Sequence, residues 1–179
     1  MPSVSGGTCF FGGIMEKWDA YDSSLEKIDG MILIRGEEKS IPSGIYHLVC
    51  DILVQHTDSS ILLMQRDFKK HYGGMWEASA GGSALMGETP LECAKRELFE
   101  ETGITASTLT ELGRVVSDET HCVYVEFLCV TDCNKNSVIL QQGETVNYRW
   151  ISRHELFSMS KNELVTKRML KFVDNECFH

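Results

Sequence analysis

The chain has 179 residues, 42% of them hydrophobic and 24% charged, with a formal charge of −9. That length supports one substantial core, and the composition is ordinary for a globular protein. The acidic balance argues against a nucleic-acid polymer as partner, and the short, charge-interrupted apolar runs exclude a helical membrane span.

Residues 1–15, MPSVSGGTCFFGGIM, resemble nothing else in the chain. Lacking a basic start, they make a poor signal peptide. They read as an N-terminal extension, with Met15 a candidate native start and a single domain expected over 16–179. Strand-like runs follow at 31–35, 45–56 and 61–66, the last two separated by a turn at Thr57-Asp58-Ser59-Ser60. A Gly-rich loop over 71–88 leads into a helix expected from Pro90 to Thr102. Further strands are expected near 110–116, 121–131 and 145–152, and two helices near 153–159 and 161–175. On the second of these, Leu164, Met169, Leu170 and Val173 form an apolar stripe of the kind that packs on a core. Strands with helices between and after them suggest an α/β sandwich. Seven cysteines without a C-x-x-C pair fit reduced thiols in a cytoplasmic protein better than a disulfide framework or zinc site. Cys129 and Cys133, with His121 nearby, read as a core strand entering a polar loop, and His47 and His71 as packing or loop residues.

The helix over 90–102 poses a question of charge. Thr89, Pro90 and Glu92 are strong start signals, and Gly103 is a stop. Leu91, Ala94, Leu98 and Thr102 fall on one side, with Glu97 and Glu101 projecting beside them and Glu100 next to Glu97. The three carboxylates lie at the end where the helix dipole disfavours anions. Glu97 faces Glu100 and Glu101 at helical spacing, and each such pair costs roughly 0.2–0.5 kcal/mol. Arg96 offsets only part of this. Three carboxylates from one rigid element make a hard-oxygen site suited to Mg²⁺ or Mn²⁺. Taken alone, an acidic solvated face explains them as well.

The wider spacing decides between these. Gly82, Glu88, Arg96-Glu97-Leu98, Glu100-Glu101 and Gly103-Ile104 match the Nudix box at every defined position. Average residue usage puts such a match on the order of one in a billion windows. The chain thus resembles a Nudix hydrolase, over roughly residues 16–160, with YHLVCDILV, ILLMQR, MWEASAGG and YRWIS falling where that family places its strands. The resemblance implies an α/β/α sandwich with a mixed sheet, in which box residues 82–104 form a loop–helix–loop. It also implies metal-dependent hydrolysis of the phosphoanhydride bond in a nucleoside diphosphate linked to another moiety, or in a similar diphosphate compound, with Mg²⁺ or Mn²⁺ as cofactor. A small diphosphate compound is then the partner, and a homodimer is left open.

By the same resemblance Glu97 and Glu101 are the principal metal ligands and Glu100 a ligand or base. Glu88 and Arg96 pair to hold the loop, and Gly81, Gly82 and Gly103 permit tight turns. Glu144 is the expected carboxylate from outside the box, with Glu119 and Glu126 as rivals, and Arg66 is a candidate phosphate contact. The segment WEASAGGSALMGE resembles the branch related to isopentenyl-diphosphate isomerase. The isomerase, however, carries a cysteine and a histidine around the first box glycine, where this chain has Gly81 and Ser83. A ligand-sensing domain without activity is the other alternative, and the intact box speaks against it.

Overall fold

The computed structural model describes residues 15–160, 162–165, 168 and 170–173. All but the last residue of the expected N-terminal extension lies outside them. The first two strands, β1 (Lys17–Tyr21) and β2 (Lys27–Ile34), pair as a separate antiparallel hairpin. Its buried Trp18, Ala20 and Leu33 form a small core with Ile41.

The main sheet is mixed. Its central strand, β3 (His47–His56), runs parallel to β8 (Cys122–Thr131) through an unbroken register from His47↔Cys122 to His56↔Thr131. β7 (Thr110–Ser117) lies antiparallel on the far side of β8. On the other flank stand β4 (Ile61–Arg66), β5 (Trp76–Glu77) and β9 (Thr145–Ile151), all antiparallel pairings. A short β6 (Ala80–Ser83) pairs with β3.

Alternation along β3 makes two cores. Leu48, Cys50, Ile52 and Val54 face α1 (Pro90–Thr102), packing with its Cys93, Ala94 and Leu98. Leu53 faces the other way, joining Ile61, Leu63 and Leu156 of α2 (Arg153–Ser158). The fold is therefore the expected α/β/α arrangement.

Three expectations need correction. The stretch that composition reads as a Gly-rich loop contains β5 and β6, as the resemblance of MWEASAGG implied, because Ala80, Gly81, Gly82 and Ser83 bond to the edge of β3. In α1 Leu91 is 42% exposed, while Cys93 is buried where β3 and β6 press on the helix. Its thiol lies 3.6 Å from the Gly82 carbonyl, which accepts from it. No long helix occupies the described part of 161–175: Leu164 bridges Trp76, whose N–H donates to Glu163 at 2.7 Å and whose carbonyl accepts from Val165 at 2.8 Å. The backbone there extends the edge beside β5, and only α3 (Leu170–Val173) is helical, with Met169 outside the described residues.

Candidate active site

α1 begins and ends as its sequence dictates. The Thr89 hydroxyl accepts from Glu92 N–H, the Glu92 carboxylate accepts from Thr89 N–H at 2.9 Å, and Gly103 closes the helix at φ 71°. Rigidly held, α1 aims its acidic end at a cavity of about 260 Å³ walled by Gly81 and Gly82 of β6. Glu97, Glu100, Glu101 and Glu144 all line it, with the cations Arg35 and Lys70.

Arg96 organises the loop before the helix. Its Nε and Nη2 donate to the two Glu88 oxygens at 2.6 and 2.8 Å, and Nη2 also donates to the Ser83 carbonyl at 3.1 Å. Its Nη1 donates to Glu97 at 2.6 Å and to Glu100 at 3.2 Å. One guanidinium thus absorbs much of the repulsion that the sequence builds in.

Glu97 packs flat against Gly82, where a Cβ would come within 2.4 Å of a carboxylate oxygen. Any side chain there would push the Glu97 carboxylate aside. Glu101 accepts from the Gly81 N–H at 3.1 Å. Burial, then the charges of Glu97 and Glu77, push its carboxyl up to about 8. Burial also raises Glu97, against the opposing pull of Arg96.

This donor set fits a divalent cation: several carboxylate oxygens face one cavity, and the most buried lacks full charge compensation. The carboxylates do not yet close on a common point, and among the described residues no three His, Cys, Asp or Glu side chains form a ready metal cage. Arg96 draws Glu97 and Glu100 aside, and Lys70 holds Glu144 in an ion pair.

The other candidates separate clearly. Glu119 and Arg66 line a second cavity of about 410 Å³, which shares Gly81 with the first. Arg66 is no loose surface side chain, since it donates to Glu77 at 2.5 Å and to the His71 carbonyl at 2.9 Å. Glu126 is 3% exposed and accepts from Arg168 at 2.6 Å. His47 is 5% exposed, stacks on Trp18 at 4.1 Å and meets the Cys122 thiol at 3.0 Å. His71 rests against Tyr72 with ring centres 4.0 Å apart. Cys129 is a core residue with Cys133 packed against that core, and His121 meets the Ile45 carbonyl at 3.2 Å.

Sequence reading missed Lys70, Arg35 and Gln141 on the first cavity and Asp51 and Glu77 on the second. Asp51 had a signal, a lone acid inside the apolar run of β3. Lys70 had none, because it sits in a polar turn like any solvated lysine.

The acidic helix end, the glycine-lined backbone it faces and the arginine anchoring its loop are the parts that the resemblance to a Nudix hydrolase implied. The NUDIX domain family model matches residues 45–175, and the chain belongs to the Nudix hydrolase family. It is 31% identical over 144 residues to an uncharacterized Nudix hydrolase of Listeria monocytogenes, covering 79% of this chain and 83% of that one. An 8-oxo-dGTP diphosphatase of Proteus vulgaris is 35% identical over 98 residues, 54% of this chain and 80% of the relative. A Deinococcus radiodurans crystal structure shares the fold at TM-score 0.66 and 16% identity, over 80% of this chain and 87% of that one.

Proposed function

We propose that residues 16–179 form one catalytic domain that hydrolyses the phosphoanhydride bond of a nucleoside diphosphate linked to another moiety, using Mg²⁺ or Mn²⁺. The observation that carries this reading is the common cavity of Glu97, Glu100, Glu101 and Glu144. A bound divalent ion would neutralise the diphosphate and lower the pKa of an attacking water. Glu97 and Glu101, fixed by Gly82 and the Gly81 N–H, would hold it. Glu100 projects further into solvent than Glu97, with 44% of its side chain exposed against 12%. It is placed to complete the ligand set or to take the proton of the water. Arg35 and Lys70 bring positive charge to the same cavity, as a phosphorylated substrate requires in a chain of net charge −9. Arg66 and Glu119 wall the adjoining cavity, where the rest of the substrate would extend.

The 8-oxo-dGTP diphosphatase relative supports a nucleotide as the phosphorylated part. Isomerase chemistry is not part of the proposal, since Gly81 has no side chain to move a proton. The test is a panel of nucleoside-diphosphate compounds with Mg²⁺ or Mn²⁺, read by chromatography of the nucleoside monophosphate formed. Turnover that EDTA abolishes is expected. Full activity in EDTA, or none across the panel at high enzyme, refutes the reading.

A further inference from the structure

Besides Arg96, Arg35 and Lys70 line the acidic cavity, and these two are held in different ways. Arg35 donates to Glu16 at 2.7 Å from the rim, with 65% of its side chain exposed. Lys70 is 26% exposed and forms its ion pair with Glu144, itself 37% exposed. Burial first, then Arg66 and Arg35, hold the ammonium's pKa below its ordinary value, against the attraction of Glu77 and Glu101.

The loop that carries Glu144 is fastened to the catalytic helix. Ile139 N–H donates to the Thr102 carbonyl at 2.9 Å, next to Glu101, and the Gln141 carbonyl accepts from Glu144 and Thr145 N–H, both at 3.1 Å. Gln141 lines the same cavity, yet its side-chain oxygen is shut off from solvent without a hydrogen-bond partner. Leaving such an acceptor unpaired costs stability unless another arrangement of the loop satisfies it.

A carboxylate paired to an ammonium is masked from a metal, and that ammonium is masked from phosphate. We propose that the Lys70–Glu144 pair is an internal counter-ion pair exchanged when the site loads: Glu144 passes to the divalent cation and Lys70 to a phosphate oxygen. Charge stays matched throughout, since each member leaves one opposite charge for another. No covalent bond changes. The exchange makes Lys70 a substrate-binding residue and couples cation to diphosphate. It rests on the metal-dependent reading of the site above.

The test is calorimetric binding of Mn²⁺ alone, and of inorganic pyrophosphate in EDTA, to wild type, Lys70→Gln, Glu144→Gln and the double variant. A partly exposed ion pair adds little stability, so all four should fold, as melts can check. Lys70→Gln unmasks Glu144 and should tighten Mn²⁺ roughly tenfold, within the usual range of coupled sites. Glu144→Gln releases Lys70 and should tighten pyrophosphate in EDTA by a similar factor. In the Glu144→Gln background, Lys70→Gln should no longer tighten Mn²⁺. Arg35→Gln, which removes a rim cation paired elsewhere, should leave Mn²⁺ affinity nearly unchanged. If Lys70→Gln tightens Mn²⁺ equally with and without Glu144, or Arg35→Gln matches it, a general field effect replaces the exchange. Unchanged affinities in both single variants also overturn it. If wild type binds no Mn²⁺ at all, the metal-dependent reading fails with it.

Discussion

Replacing Glu101 by Gln isolates what its buried charge costs the fold. Burial first, then Glu97 and Glu77, raise this carboxyl from an ordinary 4.5 to about 8. Without a cation the folded protein therefore keeps a proton on Glu101 that the unfolded chain has released, between pH 4.5 and about 8. Stability declines as pH rises through that window, and the full penalty stands above it. At 1.36 kcal/mol per pKa unit the ceiling is about 5 kcal/mol. Relaxation and water in an open cavity reduce this to about 2 kcal/mol, given the high effective dielectric of real sites. Gln keeps the shape and can still accept from the Gly81 N–H. In EDTA at pH 8.5, Glu101→Gln should melt about 4–8 °C above wild type for a domain of this size. The gap should close as pH falls to 5. Glu97→Gln should gain less, because the Arg96 guanidinium at 2.6 Å offsets part of the burial that raises Glu97. Mg²⁺ at a hundredfold excess over its dissociation constant should stabilise wild type by about 2.7 kcal/mol, and Glu101→Gln by far less. A Glu101→Gln melt at or below wild type at pH 8.5, or a gap indifferent to pH, refutes the argument.

Gly82→Ala should displace the Glu97 carboxylate, since the new methyl would sit 2.4 Å from its oxygen. Weaker Mg²⁺ stabilisation with the fold intact by circular dichroism is expected, and unchanged Mg²⁺ binding would contradict it. Arg96→Met should destabilise by about 1–3 kcal/mol, because Glu88 and the Ser83 carbonyl lose their donor; urea titration measures this. Incubation with isopentenyl diphosphate should yield no dimethylallyl diphosphate above background, and its formation would reverse the reading of Gly81 and Ser83.

What the sequence disclosed about the fold follows from how local each signal is. The bounds of α1 were legible because Thr89, Pro90, Glu92 and Gly103 act within one turn of the residues they cap. The strands β3, β4 and β8 were legible because each is a run of apolar residues longer than its turns. β6 was not legible from its residues, since Ala80-Gly81-Gly82-Ser83 has no strand propensity and becomes a strand only by bonding to β3; the family resemblance alone placed a strand there. The same holds at the C-terminus. A helical stripe through Leu164 was plausible, but the free edge of Trp76 captured that backbone instead.

The site shows the same division between what acts within one element and what only the fold brings together. Glu97, Glu100, Glu101, Glu88 and Arg96 are spaced by a helix and its entry loop, so their relation is written in the numbering. Glu144 and Lys70 stand 74 residues apart and meet only because β4 and β9 are neighbours. Nothing in its own segment singles out Lys70, and Glu144 was reached through the family resemblance, by its place before β9, and not from any local signal. The acidic helix end itself was legible because it violates helix energetics, and the structure accounts for part of the violation. Arg96 answers Glu97 and Glu100, while Glu101, buried and raised to about 8, is left answered by a proton. A fold selected for stability alone would place Gln there. Under the metal-dependent function proposed above, a bound cation takes the place of that proton, and the destabilisation of the metal-free protein is what the site trades for activity.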